Sequence, residues 1–357
     1  MLTNEEISRY SRQVMLPEIG REGQERLKGG RVLVVGAGGL GCPVLQYLAA
    51  AGVGTIGIAD GDTVDTSNLQ RQVLYGTEDV GKGKAATAAE QVGRMNPFVS
   101  FRVHPVMVDV SNVMNLIREY DIVVDGSDNF ATRYLLNDAC VIGGKVLVSG
   151  AIYKFEGQVS VFNYKGGPTY RCLFPEPPGE GESPNCADIG VVATLPGIIG
   201  AIQANEVIKV LTGAGTVLSG KMMVMDVLTM QTNTFSFSLN EANRNITMLT
   251  EGTPEQCAVP PAQLTYDELR QLLQAGTVQL VDVRPEEDHA LANIGGVNIP
   301  IWQLEEERDK LDPLLHTVVY CATGMRSKHA VLMLQQQGFK RVSHLRGGMD
   351  GVPAQRR

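Results

Sequence analysis

One segment near the C-terminus combines a cysteine, a glycine and an arginine at short spacing. Residues 321–327 read Cys-Ala-Thr-Gly-Met-Arg-Ser and directly follow the apolar run 317–320. A buried strand, a tight loop and a helix in this order direct backbone N–H groups and a helix N-terminus at the cysteine sulfur, which favours a thiolate or a bound anion. Arg326 adds a fixed positive charge. A buried cysteine without a role would explain neither the glycine nor the arginine, so we predict that Cys321 is a reactive thiol.

A glycine-rich turn marks a second candidate site near the N-terminus. Residues 36–41 read Gly-Ala-Gly-Gly-Leu-Gly, a G-x-G-x-x-G pattern between a predicted strand and a predicted helix. Glycines allow a tight turn and a close approach of the backbone to phosphate, which a helix N-terminus favours. Asp60 ends the next predicted strand, where its carboxylate can accept a hydrogen bond from a ribose hydroxyl. The turn residues predicted to contact a nucleotide are Gly36, Gly38, Gly39 and Gly41.

This pattern alone is typical of enzymes that bind a nicotinamide dinucleotide, and an NAD-dependent oxidoreductase is therefore the alternative function. The next segment favours a triphosphate instead. Residues 67–71 read Ser-Asn-Leu-Gln-Arg, and Lys84 stands at a predicted helix start. The two cations could neutralise a triphosphate, for which a hydride-transfer site has little use. The predicted nucleotide contacts of this segment are Ser67, Asn68, Leu69, Gln70, Arg71 and Lys84.

Two polar residues follow a third predicted strand. Residues 125–129 read Asp-Gly-Ser-Asp-Asn, directly after an apolar run. Ligands of parallel open sheets bind at the carboxyl ends of the strands, so Asp128 and Asn129 should face the same cleft as the glycine turn. Mg²⁺ in proteins takes one or two carboxylates together with phosphate oxygens. We therefore predict ATP and Mg²⁺ as ligands, with Asp128 as the metal ligand.

Apolar strands alternate with amphipathic helices along most of the chain. Continuous apolar strands separated by such helices indicate a parallel sheet covered on both faces. We predict an α/β protein: a Rossmann-like ATP-binding domain with a mostly parallel sheet over residues 1–245, a linker over 246–262, and a small α/β domain over 263–357. The predicted strands are 31–35, 55–59, 101–106, 121–124, 146–149, 222–227, 234–238, 278–283 and 317–320, and the predicted helices are 40–51, 84–96, 133–142, 196–211, 266–274 and 328–337.

The composition argues against several classes of function. A net charge of -8 over 357 residues does not suit a nucleic-acid-binding protein. No apolar stretch is long enough to span a bilayer, and the N-terminal residues lack the features of a signal peptide. The six cysteines show no paired spacing, which is typical of a reducing compartment. We expect a cytoplasmic protein with neither a nucleic acid nor a membrane as its partner.

The set of motifs from Gly36 to Asn129 resembles the ThiF/MoeB adenylyltransferases, relatives of the ubiquitin-activating enzymes. Residues 9–13, Arg-Tyr-Ser-Arg-Gln, resemble the N-terminal arginine motif of that family, and the match covers about residues 5–235. The resemblance implies that ATP is cleaved to AMP and pyrophosphate while the C-terminal glycine of a small ubiquitin-like carrier becomes an acyl adenylate. It also implies a homodimer in which Arg12 reaches the triphosphate of the neighbouring subunit. By resemblance, the nucleotide contacts are Gly39, Asp60, Asn68, Arg71, Lys84, Asp128 and Asn129, with Arg71 and Asp128 catalytic.

The same resemblance singles out Cys186, which lies in the Gly-, Pro- and Glu-rich stretch 163–190. In the family, a cysteine at this place faces the adenylate and can form a covalent link to the carrier. We predict a surface loop here, since a flexible segment suits an acyl acceptor that must enter and leave a site. An exposed loop cysteine without a role is the alternative.

The family usually carries two Cys-x-x-Cys pairs that bind a structural Zn²⁺. Cys172 stands in the context of the first pair, but Pro175 occupies the place of its partner, and residues 230–250 contain no cysteine. A tetrahedral site with four cysteine ligands cannot be built from these residues. We predict that the chain binds no zinc.

The C-terminal unit resembles a rhodanese domain over about residues 262–352. The match depends on residues 280–284, on the Cys321 loop and on residues 345–349. It implies that Cys321 carries a persulfide whose sulfur is held by loop N–H groups and by Arg326. The usual His-Ile-Pro-Gly-Ala stretch is replaced by 293–297, Asn-Ile-Gly-Gly-Val, and a non-catalytic docking module is the alternative for this unit.

Together the two resemblances imply one reaction sequence. The carrier, which ends in Gly-Gly, is adenylated and then receives persulfide sulfur to become a thiocarboxylate, because the adenylate is a good leaving group and the persulfide a strong nucleophile. The sulfur donor is a cysteine desulfurase persulfide or thiosulfate. The carrier and its pathway (molybdopterin, thiamine, tRNA thiolation or a secondary metabolite) stay open.

Overall fold

The computed structural model describes residues 1–177, 190–249, 262–276, 278–304 and 306–353, with backbone only at 325, 328, 329, 332 and 336. These residues form two compact units, which are described separately. The first comprises residues 1–177 and 190–249, and the second comprises the described residues from 262 onward. In the described part of the chain, no helix has the length and apolar composition needed to cross a membrane.

The first unit is built on one large sheet. Its strands are β1 (Arg31–Val35), β2 (Thr55–Ala59), β3 (Ser100–His104), β4 (Ile122–Asp125), β5 (Val146–Tyr153), β6 (Glu156–Phe162), β7 (Lys221–Asp226) and β8 (Gln231–Ser236). Its helices are α1 (Asn4–Arg9), α2 (Ser11–Val14), α3 (Gly20–Gly29), α4 (Gly41–Ala51), α5 (Lys84–Met95), α6 (Val113–Ile117), α7 (Phe130–Gly143), α8 (Tyr170–Leu173) and α9 (Thr194–Thr212).

The strand order of this sheet is β3-β2-β1-β4-β5-β6-β7-β8. Pairing is parallel from β3 to β5 and antiparallel from β5 to β8. The prediction of a mostly parallel α/β sheet is confirmed. The sequence prediction missed β6, and it ended β5 too early at residue 149, because the hairpin formed by these two strands lacks the continuous apolar run of the inner strands.

Both faces of the parallel half are covered, which explains its apolar strands. On β1, Val32 and Val34 pack into one buried cluster, while Leu33 and Val35 pack into another. The first cluster includes Leu45 and other residues of α4 and α9, and the second includes residues of α6 and α7. The alternation of side chains along a strand therefore supplies two cores from one run of valine and leucine.

The second unit is a smaller parallel sheet with helices. Its strands are β9 (Gln263–Leu264), β10 (Val278–Asp282), β11 (Val297–Asn298), β12 (His316–Tyr320) and β13 (Val342–Leu345). Their order in the sheet is β11-β10-β12-β13-β9, and all four pairings are parallel. Apolar residues from both faces of β10 and β12 enter separate buried clusters. Its helices are α10 (Tyr266–Gln274), α11 (Glu286–Leu291) and α12 (Met325–Gln336).

Candidate functional site

The carboxyl ends of β1, β2 and β4 open into one cleft of the first unit. The cleft is lined by Gly36, Gly38 and Gly39 of the turn after β1, by Asp60 after β2, and by Asp128 and Asn129 after β4. Gly41 is not among the lining residues, and its predicted nucleotide contact stays a prediction. In the strand order, β1 lies between β2 and β4, which is the point where the winding of the sheet reverses and where open α/β sheets bind their ligands. The structure therefore brings together the three groups of residues that the sequence placed at separate strand ends.

The glycine turn cannot accept side chains at its tightest positions. Gly36 has a φ of 89°, and a Cβ there would lie 2.7 Å from the carbonyl oxygen of Gly126. A Cβ on Gly41 would collide with the carbonyl oxygen of Gly36. Helix α4 begins at Gly41, so the positive end of its dipole lies at the turn, where it favours an anion.

Asp60 holds this turn in place. Its Oδ2 accepts a hydrogen bond from the Ala37 N–H at 2.7 Å, and its Oδ1 accepts one from the Asp62 N–H at 2.8 Å. Burial raises the pKa of Asp60, although these hydrogen bonds favour its ionised form. Its predicted contact with a ribose hydroxyl stays a prediction.

Two cations line the cleft near the turn. The Arg71 Nη1 donates to the carbonyl oxygen of Ser67 at 3.0 Å, and the Lys84 Nζ lies 3.0 Å from Asp62 Oδ2. The side chain of Lys84 is 9% exposed, whereas that of Asp62 is 60% exposed. A phosphate that enters the cleft would compete with an exposed, well-solvated carboxylate for the ammonium of Lys84, and the energetic cost of that exchange is small.

Residues 67–71 were predicted to contact the nucleotide, and of these five only Arg71 is among the residues that line the cleft. Asn68 Oδ1 accepts a hydrogen bond from the Asp65 N–H at 3.2 Å, and Leu69 packs against the core. Nucleotide contacts by Ser67, Asn68, Leu69 and Gln70 stay predictions.

Sequence reasoning missed several residues that line the cleft. Gln72 is buried there, and its Oε1 has no hydrogen-bond partner within the described residues. Its position directly after Arg71 was the only signal in the sequence. The β5–β6 hairpin residues Ile152, Tyr153 and Lys154 also line the cleft, and no motif marks them.

Buried hydrogen bonds stabilise the loop after β4. The fully buried Asp125 accepts hydrogen bonds from the N–H and Oγ of Ser127 and from the Ser149 Oγ, and it lies 3.3 Å from the Arg133 Nε. Asn129 caps α7, because its Oδ1 accepts the Thr132 N–H at 2.8 Å. These contacts hold the intervening residue, Asp128, at the cleft.

Asp128 offers the kind of oxygen ligand that Mg²⁺ prefers. No group of three His, Cys, Asp or Glu side chains able to hold a metal ion occurs among the residues that the structure describes. A carboxylate that shares its metal with phosphate oxygens needs no such group, so Asp128 fits a Mg²⁺ that arrives with ATP.

In the second unit, the loop after β12 surrounds the Cys321 sulfur with donors. Its Sγ accepts hydrogen bonds from the Gly324 N–H at 3.2 Å and the Ser327 N–H at 3.4 Å, and the thiol donates to Ser327 Oγ at 3.5 Å. Gly324 has a φ of 95° and caps α12, which begins at the next residue. Arg326 is half-buried and forms no ion pair with another described residue. These contacts match the arrangement expected for an anionic sulfur.

The turn after β13 supports this loop through hydrogen bonds to its carbonyl oxygens. The Met349 N–H donates to the Cys321 carbonyl at 2.8 Å, and the Asp350 N–H donates to the Ala322 carbonyl at 2.9 Å. Gly348 has a φ of 55°, and a Cβ there would collide with the Cys321 carbonyl oxygen. Gly348 is thus required by the close approach of two loops.

Asp282 anchors the neighbouring loop after β10. It is fully buried, pairs with Arg284 at 2.7 Å and accepts a hydrogen bond from His289 Nδ1 at 2.8 Å. Burial would raise the pKa of Asp282, but the hydrogen bonds from Arg284 and His289 outweigh it and hold the pKa below its ordinary value. Asp282 therefore stays ionised as the fixed counter-charge of this loop.

Cys172 is surrounded by groups that do not suit a zinc site. Its sulfur accepts hydrogen bonds from the Thr169 N–H at 3.4 Å, the Asn240 N–H at 3.3 Å and the Asn243 Nδ2 at 3.8 Å. The two asparagines have the spacing of a Cys-x-x-Cys pair, but their N–H groups donate hydrogen bonds to the sulfur, whereas a zinc ligand must donate an electron pair to the metal. The residues present do not fit zinc.

Two predicted site residues lie elsewhere. Arg12 is exposed on α2 and does not line the cleft of its own chain. Cys186 lies outside the described residues, and its predicted role stays a prediction.

Comparison with known families matches both units. The ThiF family model matches residues 10–247, and the rhodanese-like domain model matches residues 265–355. The probable adenylyltransferase/sulfurtransferase MoeZ of Mycobacterium tuberculosis is 42% identical, over 98% of this chain and 93% of MoeZ. The adenylyltransferase and sulfurtransferase MOCS3 of Mus musculus is 39% identical, over 94% of this chain and 81% of MOCS3.

Other similar proteins cover about two thirds of this chain. The sulfur carrier protein adenylyltransferase of Thermus thermophilus is 54% identical, over 63% of this chain and 85% of its own length. Among solved structures, E. coli MccB with MccA-N7isoASN superposes with a TM-score of 0.60 at 22% identity, over 69% of this chain and 76% of that chain. At this identity the superposition shows a shared fold alone.

Proposed function

The chain belongs to the ThiF family and carries a rhodanese-like domain at its C-terminus, and from this premise we propose that it is an adenylyltransferase and sulfurtransferase of a sulfur carrier protein. It adenylates the C-terminal glycine of a small ubiquitin-like carrier and then delivers persulfide sulfur to form a thiocarboxylate. The observation that carries the proposal is one chain that holds both a phosphate-binding cleft and a donor-lined cysteine loop.

The first step joins the carrier carboxylate to AMP. A carboxylate oxygen attacks the α-phosphorus of ATP, the bond to the bridging oxygen breaks, and pyrophosphate leaves. Arg71 and Lys84 neutralise phosphate charge, and the N–H groups of the glycine turn bind phosphate oxygens. Asp128 would hold Mg²⁺, which supplies further charge neutralisation to the phosphates when bound.

The second step transfers sulfur. The terminal sulfur of a persulfide on Cys321 attacks the acyl carbon and displaces AMP, which leaves the carrier joined to Cys321 through a disulfide. A second thiol then attacks the Cys321 sulfur, releases the carrier as a thiocarboxylate, and forms a disulfide with Cys321 that a reducing thiol must open. The Gly324 and Ser327 N–H groups and Arg326 stabilise the sulfur anion before attack.

The finer assignments belong to the same proposal. The enzyme works as a homodimer in which Arg12 serves the neighbouring subunit, and the sulfur comes from a cysteine desulfurase persulfide or from thiosulfate. Arg71, Lys84 and Asp128 in the cleft support the binding and cleavage of a triphosphate. They give no support to the alternative of an NAD-dependent oxidoreductase.

Two variants separate the half-reactions. Asp128→Ala should reduce carrier-dependent ATP–pyrophosphate exchange by at least about a hundredfold, because removal of one group that stabilises transition-state charge commonly has that effect. Cys321→Ala should leave exchange unchanged and stop thiocarboxylate formation with thiosulfate as donor. Exchange is measured with labelled pyrophosphate and thiocarboxylate by mass spectrometry. An unchanged thiocarboxylate yield in Cys321→Ala would show that the two units do not act in sequence.

A further inference from the structure

The β5–β6 hairpin places a lysine in an unusual backbone conformation. Lys154 has a φ of 52°, a left-handed conformation that residues with a Cβ seldom adopt. Its carbonyl oxygen accepts a hydrogen bond from the Val192 N–H at 3.3 Å, and its Nζ lies 5.2 Å from the ring centroid of Tyr153. Both the backbone and the ammonium group of Lys154 are therefore held by neighbours.

The hairpin lies at the edge of the sheet where the nucleotide cleft opens. Strand β5 is parallel to β4, which is parallel to β1, so all three end at the same edge. Lys154 lines the cleft together with Ile152, Tyr153 and Val191. Strand β4 lies between β1 and β5, so Lys154 and the glycine turn line the same cleft from different strands.

The positive charges of the cleft are not equivalent. Arg133 lies beside the buried Asp125, and Lys84 pairs with Asp62. Arg71 lines the cleft near the glycine turn and donates to the Ser67 carbonyl oxygen. Within the described residues, Lys154 has no carboxylate partner and contacts only a ring through its ammonium group. The hairpin side of the cleft therefore offers a cation that an incoming anion can bind without displacing an acidic side chain.

We propose that Lys154 binds the anionic C-terminal tail of the carrier and guides its glycine carboxylate into the cleft, an inference that rests on the proposed function. The carboxylate must approach a triphosphate of the same sign, and the two like charges repel. Arg71, Lys84 and the helix N-terminus serve the nucleotide, so the second substrate needs a cation of its own. Lys154 is a substrate-binding residue in this proposal, and binding of the tail is its whole contribution.

Lys165 provides a matched control within the same unit. Its φ is 48°, and its Nζ lies 5.1 Å from the ring centroid of the preceding Tyr164, so both local features of Lys154 recur there. Lys165 does not line the cleft. The two lysines share these local features and differ in their position relative to the cleft, so a comparison of their variants tests that position.

The first test is carrier-dependent ATP–pyrophosphate exchange with a ubiquitin-like sulfur carrier that ends in Gly-Gly. Lys154→Gln should raise the KM for the carrier about three- to tenfold and leave the KM for ATP unchanged, since it removes one partly exposed charge contact. Lys154→Arg should retain most of the affinity, and Lys165→Gln should match the native enzyme. An unchanged carrier KM in Lys154→Gln would overturn the proposal. Absence of exchange by the native enzyme would instead overturn the proposed function.

The second test is equilibrium binding of two carriers, one intact and one that lacks its terminal Gly-Gly. Lys154→Gln should weaken binding of the intact carrier about three- to tenfold and should not alter binding of the truncated one. Equal weakening for both would mean that Lys154 contacts the folded body of the carrier, and the proposed tail contact would be wrong. An unchanged melting temperature for Lys154→Gln confirms that the variant is folded.

Discussion

At the scale of single residues, the neighbours of each sulfur determine its reactivity. Burial raises the pKa of the Cys42 thiol to about 12 and also raises the pKa of Cys140. Burial would raise the pKa of Cys172 too, but hydrogen bonds from Thr169, Asn240 and Asn243 outweigh it, so its pKa lies below the ordinary value. Cys172 is therefore the thiolate-forming member of these three.

This difference predicts a pH-dependent labelling pattern. Because the thiolate is the nucleophile, iodoacetamide should label Cys172 with a half-maximal rate at a pH below the ordinary pKa of a cysteine, while Cys42 and Cys140 stay unlabelled until the protein is unfolded. Site-resolved mass spectrometry measures each rate. A background with Cys186 and Cys257 replaced by serine removes two further thiols.

Asn243→Ala provides the control for Cys172. It removes one donor to the sulfur, so the half-maximal pH should rise toward the ordinary pKa of a cysteine, since hydrogen bonds to the sulfur favour the thiolate. Equal labelling of Cys42 and Cys172 at every pH would contradict the assignment of donors around Cys172.

At the scale of elements, two loops of the second unit depend on each other. The loop after β12 supplies the N–H groups around Cys321, and the turn after β13 holds two carbonyls of that loop. The turn can approach so closely because Gly348 has no side chain. The geometry around the sulfur therefore depends on a residue that lies far from the cysteine in the sequence.

A glycine substitution tests this dependence. Gly348→Ala should displace the Cys321 loop and reduce sulfur transfer at least about tenfold, since small misplacements of reacting groups have large effects on rate. Exchange of ATP with pyrophosphate should stay at the native rate. Thiosulfate-dependent sulfur transfer and exchange are measured on the same preparation.

Gly338→Ala is the matched control. Its φ of 93° is at least as unfavourable for alanine as the φ of 55° at Gly348, but a Cβ there would meet no atom within 4 Å. It should cost about 1 kcal/mol of stability and leave sulfur transfer unchanged. If both variants lose sulfur transfer to the same extent, backbone strain and not the contact with Cys321 is the cause.

At the scale of the whole molecule, the two units carry complementary chemistry. The cleft of the first unit suits a nucleotide, and the loop of the second suits a sulfur anion. Arg12 is exposed on α2 and does not line the cleft of its own chain. A homodimer would give it a role in the cleft of the neighbouring subunit.

Mixing of two inactive variants tests that role. Arg12→Ala and Lys84→Ala should each lose most carrier-dependent exchange. In a mixed dimer, one cleft keeps its own Lys84 and receives Arg12 from the neighbour, so one of two sites works. After random exchange of subunits, half of the dimers are mixed and activity should recover to about a quarter of the native value. No recovery, with mixed dimers verified by tags of different mass, would show that Arg12 acts within its own chain.

The sequence predicted the elements whose residues satisfy local rules. The bounds of β1 and β2 were predicted to the residue, because each is a continuous apolar run. Helix α10 was also predicted to the residue, and it begins with a Thr265–Glu268 capping box. Helix α12 begins three residues before the predicted start, because the loop leads directly into its first turn.

The sequence by itself determined the class of fold and the chemistry of both sites, because glycine turns, strand-end carboxylates and the cysteine loop are local patterns with local physical causes. Only the tertiary structure decided which distant residues join them. Lys154 reaches the cleft because β5 is parallel to β4, and Asn243 reaches Cys172 across the chain. Neither contact leaves a periodic signal, since sheet pairing and packing, not spacing along the chain, bring these side chains together.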